Sequence, residues 1–148
     1  MSDIVIRPIE TSDRAAWEPL WQDYLAFYEV SLPSDVTDTL FKRLLGDEGH
    51  NGLVAERNGK LVGFVHYLFH HSTWSRELKC YLEDLFVTDE TRGTGAGRKL
   101  IEAVYAAADA KAGASGKVYW HTNGDNARAR QLYDRIGTLS TYVCYDRA

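Results

Sequence analysis

The chain has 148 residues, 45% of them hydrophobic and 26% charged, which predicts one compact domain spanning residues 1–148. A formal net charge of −4 gives no field that attracts nucleic acid, although it is compatible with a cationic partner. The apolar runs fall short of the roughly 20 residues that cross a bilayer, so no membrane segment is expected. Two isolated cysteines, Cys80 and Cys144, in a chain without a signal peptide indicate reduced thiols and a cytoplasmic protein.

The first predicted elements are a strand and two helices. Residues 3–9 alternate in the manner of a short strand. Residues 11–30 carry large apolar side chains at helical spacing behind a Ser/Thr/Asp cap, which predicts a helix. Pro19 is expected to kink this helix or to lie near its first turns. A second helix is predicted over residues 34–45, with Ser34 as its cap.

The middle of the chain predicts a hairpin, and the second half predicts alternating strands and helices. Residues 51–57 and 61–71 have the pattern of two strands, and the Asn-Gly turn between them favours positive φ, the strongest hairpin signal in the sequence. The remaining predicted elements are a strand over residues 79–88, a helix over 97–111, a strand over 116–122, a helix over 125–136 and a strand over 138–147.

A glycine-rich loop joins the predicted strand 79–88 to the helix that follows it. Residues 92–98 contain three glycines and two arginines. A strand that enters a helix through such a loop presents unpaired N–H groups and the positive end of the helix dipole, so a phosphate group is the natural ligand. The alternative is a tight turn whose glycines only permit positive φ and close packing.

Two common phosphate-binding motifs do not fit this loop. A Walker A loop requires G-x-x-x-x-G-K-[ST], and the lysine and hydroxyl positions after Gly93 are not filled as the motif requires. A dinucleotide fingerprint requires G-x-G-x-x-G early in a βαβ unit, whereas this loop has G-x-G-x-G and lies past the middle of the chain. A nucleotide-binding module is therefore disfavoured.

The loop fits the pattern R-x-x-G-x-G, and with it the sequence resembles the GNAT superfamily of acetyl-CoA-dependent N-acetyltransferases. A second superfamily motif is matched by Asn126, Ala129, Leu132, Tyr133 and Gly137. The segment YLEDLFV is similar to the corresponding strand of the diamine acetyltransferases, and the whole chain looks closest to the histone/polyamine branch. Thr138 stands where many members have Phe, a departure that affects packing more than chemistry.

The resemblance implies an α/β (α+β) fold with a mixed, mostly antiparallel sheet of six to seven strands. About four helices would flank this sheet, with a V-shaped splay between its fourth and fifth strands. It implies acetyl-CoA as cosubstrate, with the backbone of Leu85, Phe86 and Val87 pairing with the pantetheine arm. The expected pyrophosphate cradle consists of Arg92, Gly93, Thr94, Gly95, Ala96, Gly97 and Arg98. Asn126 and Ala129 are expected to contact the cofactor near the thioester.

The same resemblance implies the catalytic residues. Tyr133 corresponds to the tyrosine that protonates the sulfur of CoA and contacts the cofactor; the alternative is a packing tyrosine on an amphipathic helix. Glu83 is expected to act as the general base through a water and to bind the amine, because a primary amine is mostly protonated near neutral pH. Glu83 and Asp84 are adjacent in a strand and are expected to point to opposite faces, so that only one lines the cleft.

The acceptor side is less defined by the sequence. Tyr119, Trp120 and His121 are candidate acceptor-binding residues, although aromatic side chains in a strand are more often part of a core. The acids Asp23, Glu29 and Asp35 near the expected entrance favour a polycation such as a polyamine or a lysine-rich tail, or form an ordinary solvated surface.

The main hypothesis is acetylation of a polyamine, a related small amine or a lysine. The alternatives are an antibiotic or amino-acid amine as the acceptor, or a non-catalytic acyl-CoA sensor. A homodimer is expected through the C-terminal strand, because that strand would be an exposed edge in a monomer. The sequence presents no metal-ligating constellation.

Overall fold

The structure is a computed structural model, and it describes residues 3–148. The helices and strands lie between Val5 and Ile136. Their bounds are β1 Val5–Pro8, α1 Arg14–Phe27, α2 Ser34–Leu45, β2 His50–Arg57, β3 Lys60–Ser72, β4 Ser75–Val87, α3 Ala96–Ala110, β5 Ala114–Tyr119 and α4 Ala127–Ile136. Short 3-10 turns at Thr11–Asp13 and Asp89–Thr91 precede α1 and the glycine loop.

The strands form one mixed sheet in the order β1-β2-β3-β4-β5. Pairing is antiparallel from β1 to β4 and parallel between β4 and β5, which confirms the expected mixed and mostly antiparallel sheet. The predicted hairpin turn joins β2 to β3, where Asn58 and Gly59 both have positive φ, 55° and 74°. That conformation matches the twist of the flanking strands and sets their register.

The sheet is covered on both faces. On one face, Trp17, Trp21 and Leu25 of α1 pack with Phe41 of α2 and Phe64 of β3. On the other face, α3 buries a stripe of apolar residues against the sheet, and α4 adds half-buried side chains to it. That stripe consists of Leu100, Ile101, Val104 and Ala108. The buried apolar residues are spaced i, i+4 in α1 and in α3, which explains why each of these two helices lies flat on the sheet.

Strands β4 and β5 separate at their carboxyl ends, as the resemblance implied. Their parallel pairing ends at Tyr81 and Tyr119, whereas β4 continues to Val87 and pairs there with β3 only. The result is a wedge-shaped opening between the second half of β4 and the chain that follows β5. The glycine loop begins at the wide end of this opening.

Two expectations about the elements are wrong. The described residues form five strands and four α-helices, not six to seven strands, because residues 138–147 are not a strand. This segment has no hydrogen-bonded strand partner within residues 3–148, and its large apolar side chains are exposed, including Tyr142 at 79% and Tyr145 at 90%. Cys144 is exposed as well.

Two smaller points concern helix geometry and membrane spans. Helix α2 begins at Ser34, so Pro33 and not Ser34 occupies the cap position. Pro19 lies inside α1. None of the helices described within residues 3–148 combines the length and the apolar character that crossing a bilayer requires.

Candidate active site

The glycine loop has backbone conformations that favour glycine. Gly93 and Gly95 have φ values of 84° and 88°, and Gly95 caps α3. A Cβ atom at either position would meet nothing within 4 Å. The two glycines are therefore required by their dihedral angles and not by close packing, and they leave open space at the start of the helix.

The first turn of α3 supplies backbone donors to this space. The N–H of Lys99 donates to the carbonyl oxygen of Gly95 at 3.0 Å, which opens the helical ladder. The N–H groups of Ala96, Gly97 and Arg98 precede it and have no helical partner. The N–H of Thr94 differs, because it donates to the Thr91 carbonyl oxygen at 3.3 Å. Three donors at the positive end of a helix dipole form an anion site.

Two arginines add positive charge beside these donors. The Nη1 atom of Arg92 lies 3.0 Å from Oδ1 of Asp89, and the Nε atom of Arg98 lies 3.6 Å from Oε1 of Glu102. The side chains of both arginines are partly exposed, at 30% and 52%. Each arginine can therefore turn toward a diphosphate without leaving a buried carboxylate unpaired. The loop and helix start fit the pyrophosphate of CoA.

One edge of β4 is available for the pantetheine arm. Leu85, Phe86 and Val87 pair with β3 along one edge of the strand, and β5 no longer pairs with the other edge. An extended chain in the opening can hydrogen-bond to these residues as an added strand. Their side chains pack into the cores, Leu85 and Val87 on the α3 face and Phe86 on the α1 face. Recognition by these residues therefore uses the backbone.

Tyr133 lies on α4 at the α3 face of the opening. Its ring packs against the edge of Trp120 with a centroid distance of 5.5 Å and an interplanar angle of 69°. Burial, together with the nearby Tyr28, raises the pKa of Tyr133 to about 12. The hydroxyl thus keeps its proton at neutral pH, which is the form that a proton donor needs.

Asn126 and Ala129 organise the start of α4. The Asn126 side chain accepts a hydrogen bond from the Ala129 N–H at 3.3 Å, the cap of the helix. Its Nδ2 atom donates to the Thr122 hydroxyl at 3.4 Å. These bonds fix the helix that carries Tyr133. The expected contact of Asn126 with the cofactor stays a prediction.

A β-bulge in β4 sets the direction of Glu83. His66 of β3 pairs with Asp84 and the next residue, Tyr67, pairs with Leu82, so Glu83 is an extra residue in β4. An extra residue interrupts the strict alternation of side chains. Glu83 and Asp84 line the same pocket, which corrects the expectation that only one of them lines the cleft.

This pocket, which we call the β4 pocket, lies on the α1 and α2 face of the sheet. It has a volume of about 350 Å³. Its lining residues are Trp21, Asp35, Val36, Thr39, Leu40, Arg43, His50, Glu83 and Asp84. The Nε2 atom of His50 lies 3.6 Å from Oε1 of Glu83. Of the three acids expected near the entrance, Asp35 belongs to this lining, and Asp23 and Glu29 do not.

Asp84 is held by a buried chain of hydrogen bonds. The Nε1–H of Trp17 donates to Nε2 of His66 at 3.2 Å, so the proton of a neutral His66 is on Nδ1. Nδ1 lies 3.0 Å from Oδ2 of Asp84, and the Tyr24 hydroxyl donates to Oδ1 at 2.8 Å. Burial and the Asp84 carboxylate raise the pKa of Tyr24, which keeps this hydroxyl a donor. Both carboxylate oxygens of Asp84 are thus engaged in the network, whereas Glu83 has its contact with His50 at 3.6 Å and lies outside this network.

The candidate acceptor residues, at the end of β5 and just after it, lie on different faces of the sheet. Tyr119 stacks on Tyr81 with ring centroids 5.0 Å apart, and Nδ1 of His121 lies 3.2 Å from the Tyr81 hydroxyl. Both therefore lie beside β4 just before the bulge. Trp120 instead packs with Tyr105 and Tyr133 on the α3 face. Its position is that of a support for Tyr133.

Sequence reasoning missed several pocket residues. His50, Arg43 and Trp21 come from β2, α2 and α1, and no motif in the sequence joins them. For Trp21 there was a signal, since it belongs to the aromatic stripe of α1. That stripe, however, predicted only a core face. The three residues meet only because α1, α2 and β2 lie next to one another in the folded protein.

Comparison with known proteins agrees with this geometry. Residues 17–138 match the Acetyltransferase (GNAT) family. The D-amino-acid N-acetyltransferase HPA3 of Saccharomyces cerevisiae is 38% identical over 147 residues, which are 97% of this chain and 90% of that protein. The uncharacterized N-acetyltransferase YhfO of Bacillus subtilis is 34% identical over 134 residues, 89% of this chain and 87% of that protein.

Solved structures with the same fold are more distant in sequence. The aminoglycoside N-acetyltransferase AAC(6')-Iy in complex with CoA has a TM-score of 0.85 at 18% identity, covering 100% of this chain and 96% of that one. A ribosomal-protein-alanine N-acetyltransferase from Brucella melitensis has a TM-score of 0.77 at 21% identity, covering 99% of both chains. These likenesses concern the fold alone. With the family matched over residues 17–138, the chain belongs to the GNAT family of acetyltransferases and is an acetyl-CoA-dependent N-acetyltransferase.

Proposed function

We propose that the protein acetylates the primary amine of a small molecule bound in the β4 pocket, with Glu83 as base and Tyr133 as acid. The observation that carries the proposal is the position of these two residues on opposite faces of the splay. Glu83 lines the pocket on the α1 and α2 face, and Tyr133 packs on the α3 face. The thioester lies between them when the pantetheine arm pairs with β4 and the pyrophosphate occupies the glycine loop.

Each residue then has one task. Acetyl-CoA supplies an acetyl thioester, whose carbonyl carbon bonds to the amine nitrogen as its bond to sulfur breaks. The Glu83 carboxylate takes a proton from the bound ammonium, directly or through a water, so that the nitrogen lone pair becomes available. The Tyr133 hydroxyl gives its proton to the departing sulfur, and the second proton that the nitrogen loses as the amide forms passes to the tyrosinate oxygen or to water. Asp84 holds the bulge in place through His66 and Tyr24.

The acceptor class follows from the charges in the pocket and from the relatives. Asp35, Glu83 and Asp84 supply three carboxyl groups, which favours a cationic amine such as a polyamine or a lysine side chain. The 38% identity to a D-amino-acid N-acetyltransferase favours the amine of an amino acid. The aminoglycoside enzymes are similar in fold only, so an antibiotic acceptor has no support beyond the fold.

A non-catalytic CoA sensor is the competing function. A sensor needs the glycine loop and the β4 edge, but it has no chemical need for a carboxylate on a bulge or for a protonated tyrosine across the splay. Both groups are present, and a buried network holds Asp84, the residue next to Glu83. This combination supports catalysis.

Three further properties belong to the proposal. Residues 1–148 act as one catalytic domain, the protein is cytoplasmic, and it forms a homodimer. The exposed Leu139, Tyr142, Val143 and Tyr145 in the C-terminal segment support the dimer, because apolar side chains grouped in this way mark an interaction surface. Light scattering at micromolar concentration is expected to give the mass of two chains. The mass of one chain would refute the dimer.

Thiol release from acetyl-CoA tests the reaction. The acceptor panel contains spermidine, spermine, lysine, a histone-tail peptide and the two enantiomers of several amino acids. The expected result is turnover with at least one amine, lowered on the order of 10²-fold or more in Tyr133→Phe. Tyr67→Phe is the matched control, because Tyr67 is likewise a largely buried tyrosine but lies on β3, outside the β4 pocket, the glycine loop and α4. Tight CoA binding without turnover for any amine would favour the sensor.

A further inference from the structure

We propose that the acceptor is a zwitterion, an α-amino acid whose carboxylate binds Arg43 and the indole N–H of Trp21 while its ammonium faces Glu83. This inference rests on the proposed function and assigns the substrate class of the same pocket. It also gives Arg43 and Trp21 a role in specificity. The three residues come from α2, α1 and β4 and line one cavity.

The pocket carries charges of both signs. Besides its carboxylates it contains Arg43, with His50 at its β2 side. The nearest carboxylate to Arg43 is that of Glu48, whose Oε2 lies 3.9 Å from Nε, and the two side chains are 49% and 72% exposed. An ion pair this long and this exposed holds the guanidinium only weakly, so its donors remain available. A guanidinium and a carboxylate fit each other as a bidentate pair.

A purely cationic acceptor has no group that can bind the guanidinium of Arg43. A polyamine in the pocket would bring positive charge near Arg43, and the like charges would repel each other. A zwitterion satisfies both ends, with the ammonium at Glu83 and the carboxylate at Arg43. At the Arg43 end of the pocket, charge complementarity therefore favours an amino acid over a diamine.

Trp21 supplies a second hydrogen-bond donor beside the pocket. Its side chain is only 6% exposed, and its Nε1 atom has no hydrogen-bond partner within residues 3–148. The indole N–H can only donate, so it requires an acceptor atom. A buried donor without a partner is destabilising, and native proteins seldom leave one in this condition. A carboxylate oxygen of the bound acceptor supplies the missing partner.

The dimensions agree with a ligand of this class. A volume of about 350 Å³ lies at the low end of the range for small-molecule sites. It accommodates one amino acid.

Kinetics with matched acceptors test the proposal. Phenylalanine, as both enantiomers, is compared with phenylalaninamide and phenethylamine, which keep the ring and the amine but lack the carboxylate. The α-amine of the amide is less basic than that of the free acid, so a larger fraction of it is already neutral. Amine ionisation alone would thus favour the amide. We expect the free acid to have a kcat/KM about 10-fold or more above that of the amide.

Variants identify the group that recognises the carboxylate. In Arg43→Gln, kcat/KM for the free acid is expected to fall about 10-fold or more, with little change for the amide. Lys42→Gln is the matched control, since Lys42 is the neighbouring cation on α2, exposed and outside the pocket lining. In Trp21→Phe the same loss of preference for the acid is expected, and thermal melting verifies that this variant folds.

The outcomes separate this inference from the proposed function. If phenethylamine or spermidine is acetylated as well as phenylalanine, or if Arg43→Gln lowers turnover of acid and amide equally, the zwitterion proposal is wrong and the acetyltransferase proposal stands. If the parent acetylates neither class of amine, both proposals fail. A lower kcat/KM in Arg43→Gln for the acid alone supports recognition of the carboxylate.

Discussion

The Nδ1 atom of His66 lies 3.0 Å from the Oδ2 atom of Asp84, although the histidine is 1% exposed and enclosed by aromatic rings. Because Trp17 donates to the other ring nitrogen, the proton on Nδ1 is directed at the carboxylate. The bond therefore ties β3 to β4 at the position of the bulge. Glu83, the base of the proposed reaction, is the residue that precedes Asp84 in β4.

Loss of the Asp84 carboxylate is expected to destabilise the protein. In Asp84→Asn, the amide oxygen can still accept from the His66 N–H while the NH₂ group donates to the Tyr24 hydroxyl, but both bonds lose the assistance of the carboxylate charge. We expect the free energy of unfolding to fall by about 1–3 kcal/mol, measured by chemical denaturation. Asp23→Asn on the exposed side of α1 is the control. Equal unfolding midpoints for the two variants would contradict the role given to Asp84.

Replacement of Glu83 by Gln is expected to act on chemistry and not on cofactor binding. The amide keeps the size of the side chain but takes no proton from the ammonium. The kcat is expected to fall on the order of 10²-fold, with the KM for acetyl-CoA unchanged. Glu77→Gln, on the exposed first part of β4, is expected to behave as the parent. An unchanged kcat in Glu83→Gln would remove Glu83 from the mechanism.

Alanine at Gly95 is expected to weaken the binding of acetyl-CoA. The left-handed φ of 88° costs an alanine about 1–2 kcal/mol, and its Cβ would enter the space assigned to the pyrophosphate. Gly59→Ala is a matched control, because Gly59 also has positive φ, 74°, with nothing within 4 Å of a Cβ, but it lies in the β2–β3 turn. Both variants are expected to lose similar stability, and only Gly95→Ala raises the KM for acetyl-CoA. A rise of equal size in both would argue against the loop as the binding site.

Alkaline pH is expected to destabilise the protein. Burial raises the pKa of Cys80 from 9.0 to about 11 and that of Tyr133 from 10.0 to about 12. Above the ordinary pKa the unfolded chain has lost these protons and the folded protein still holds them. The contribution of these two groups to stability is therefore fully present below the ordinary pKa, and it is lost as the pH rises through the raised pKa.

The melting temperature between pH 9 and pH 11 measures the contribution of Cys80. Its fall over this interval is expected to be smaller in Cys80→Ala than in the parent. Cys144→Ala is the control, because Cys144 is exposed and no comparable effect is expected. Identical slopes in the parent and in Cys80→Ala would show that the Cys80 thiol contributes nothing to the pH dependence.

The sequence allowed the cofactor side of the site to be predicted, because the residues that form it are adjacent in the chain. The loop from Arg92 to Arg98 and the helix that carries Tyr133 are local patterns, and the structure has helices at both places. The roles of the individual residues stay predictions. The splay followed from the resemblance and is confirmed by the end of pairing at Tyr81 and Tyr119.

The acceptor side could not be predicted in the same way. The argument from alternation assumed a regular strand, and a bulge depends on how β3 and β4 pair, which the sequence of β4 alone does not reveal. Arg43 and Trp21 meet Glu83 only after three elements have packed. The pattern of residues 138–147 predicted a strand, and that prediction was wrong, because alternation alone does not reveal whether a segment pairs with a sheet edge.

The bulge at Glu83 has a consequence for how such an enzyme can change. Leu82, just before it, and Leu85, two residues after it, pack against the α3 face, and the extra residue belongs to neither core. A different side chain at this position therefore alters the reacting group without disturbing the packing on which folding depends. Selection for a new acceptor can act there at little cost in stability, while the scaffold that holds the thioester stays the same.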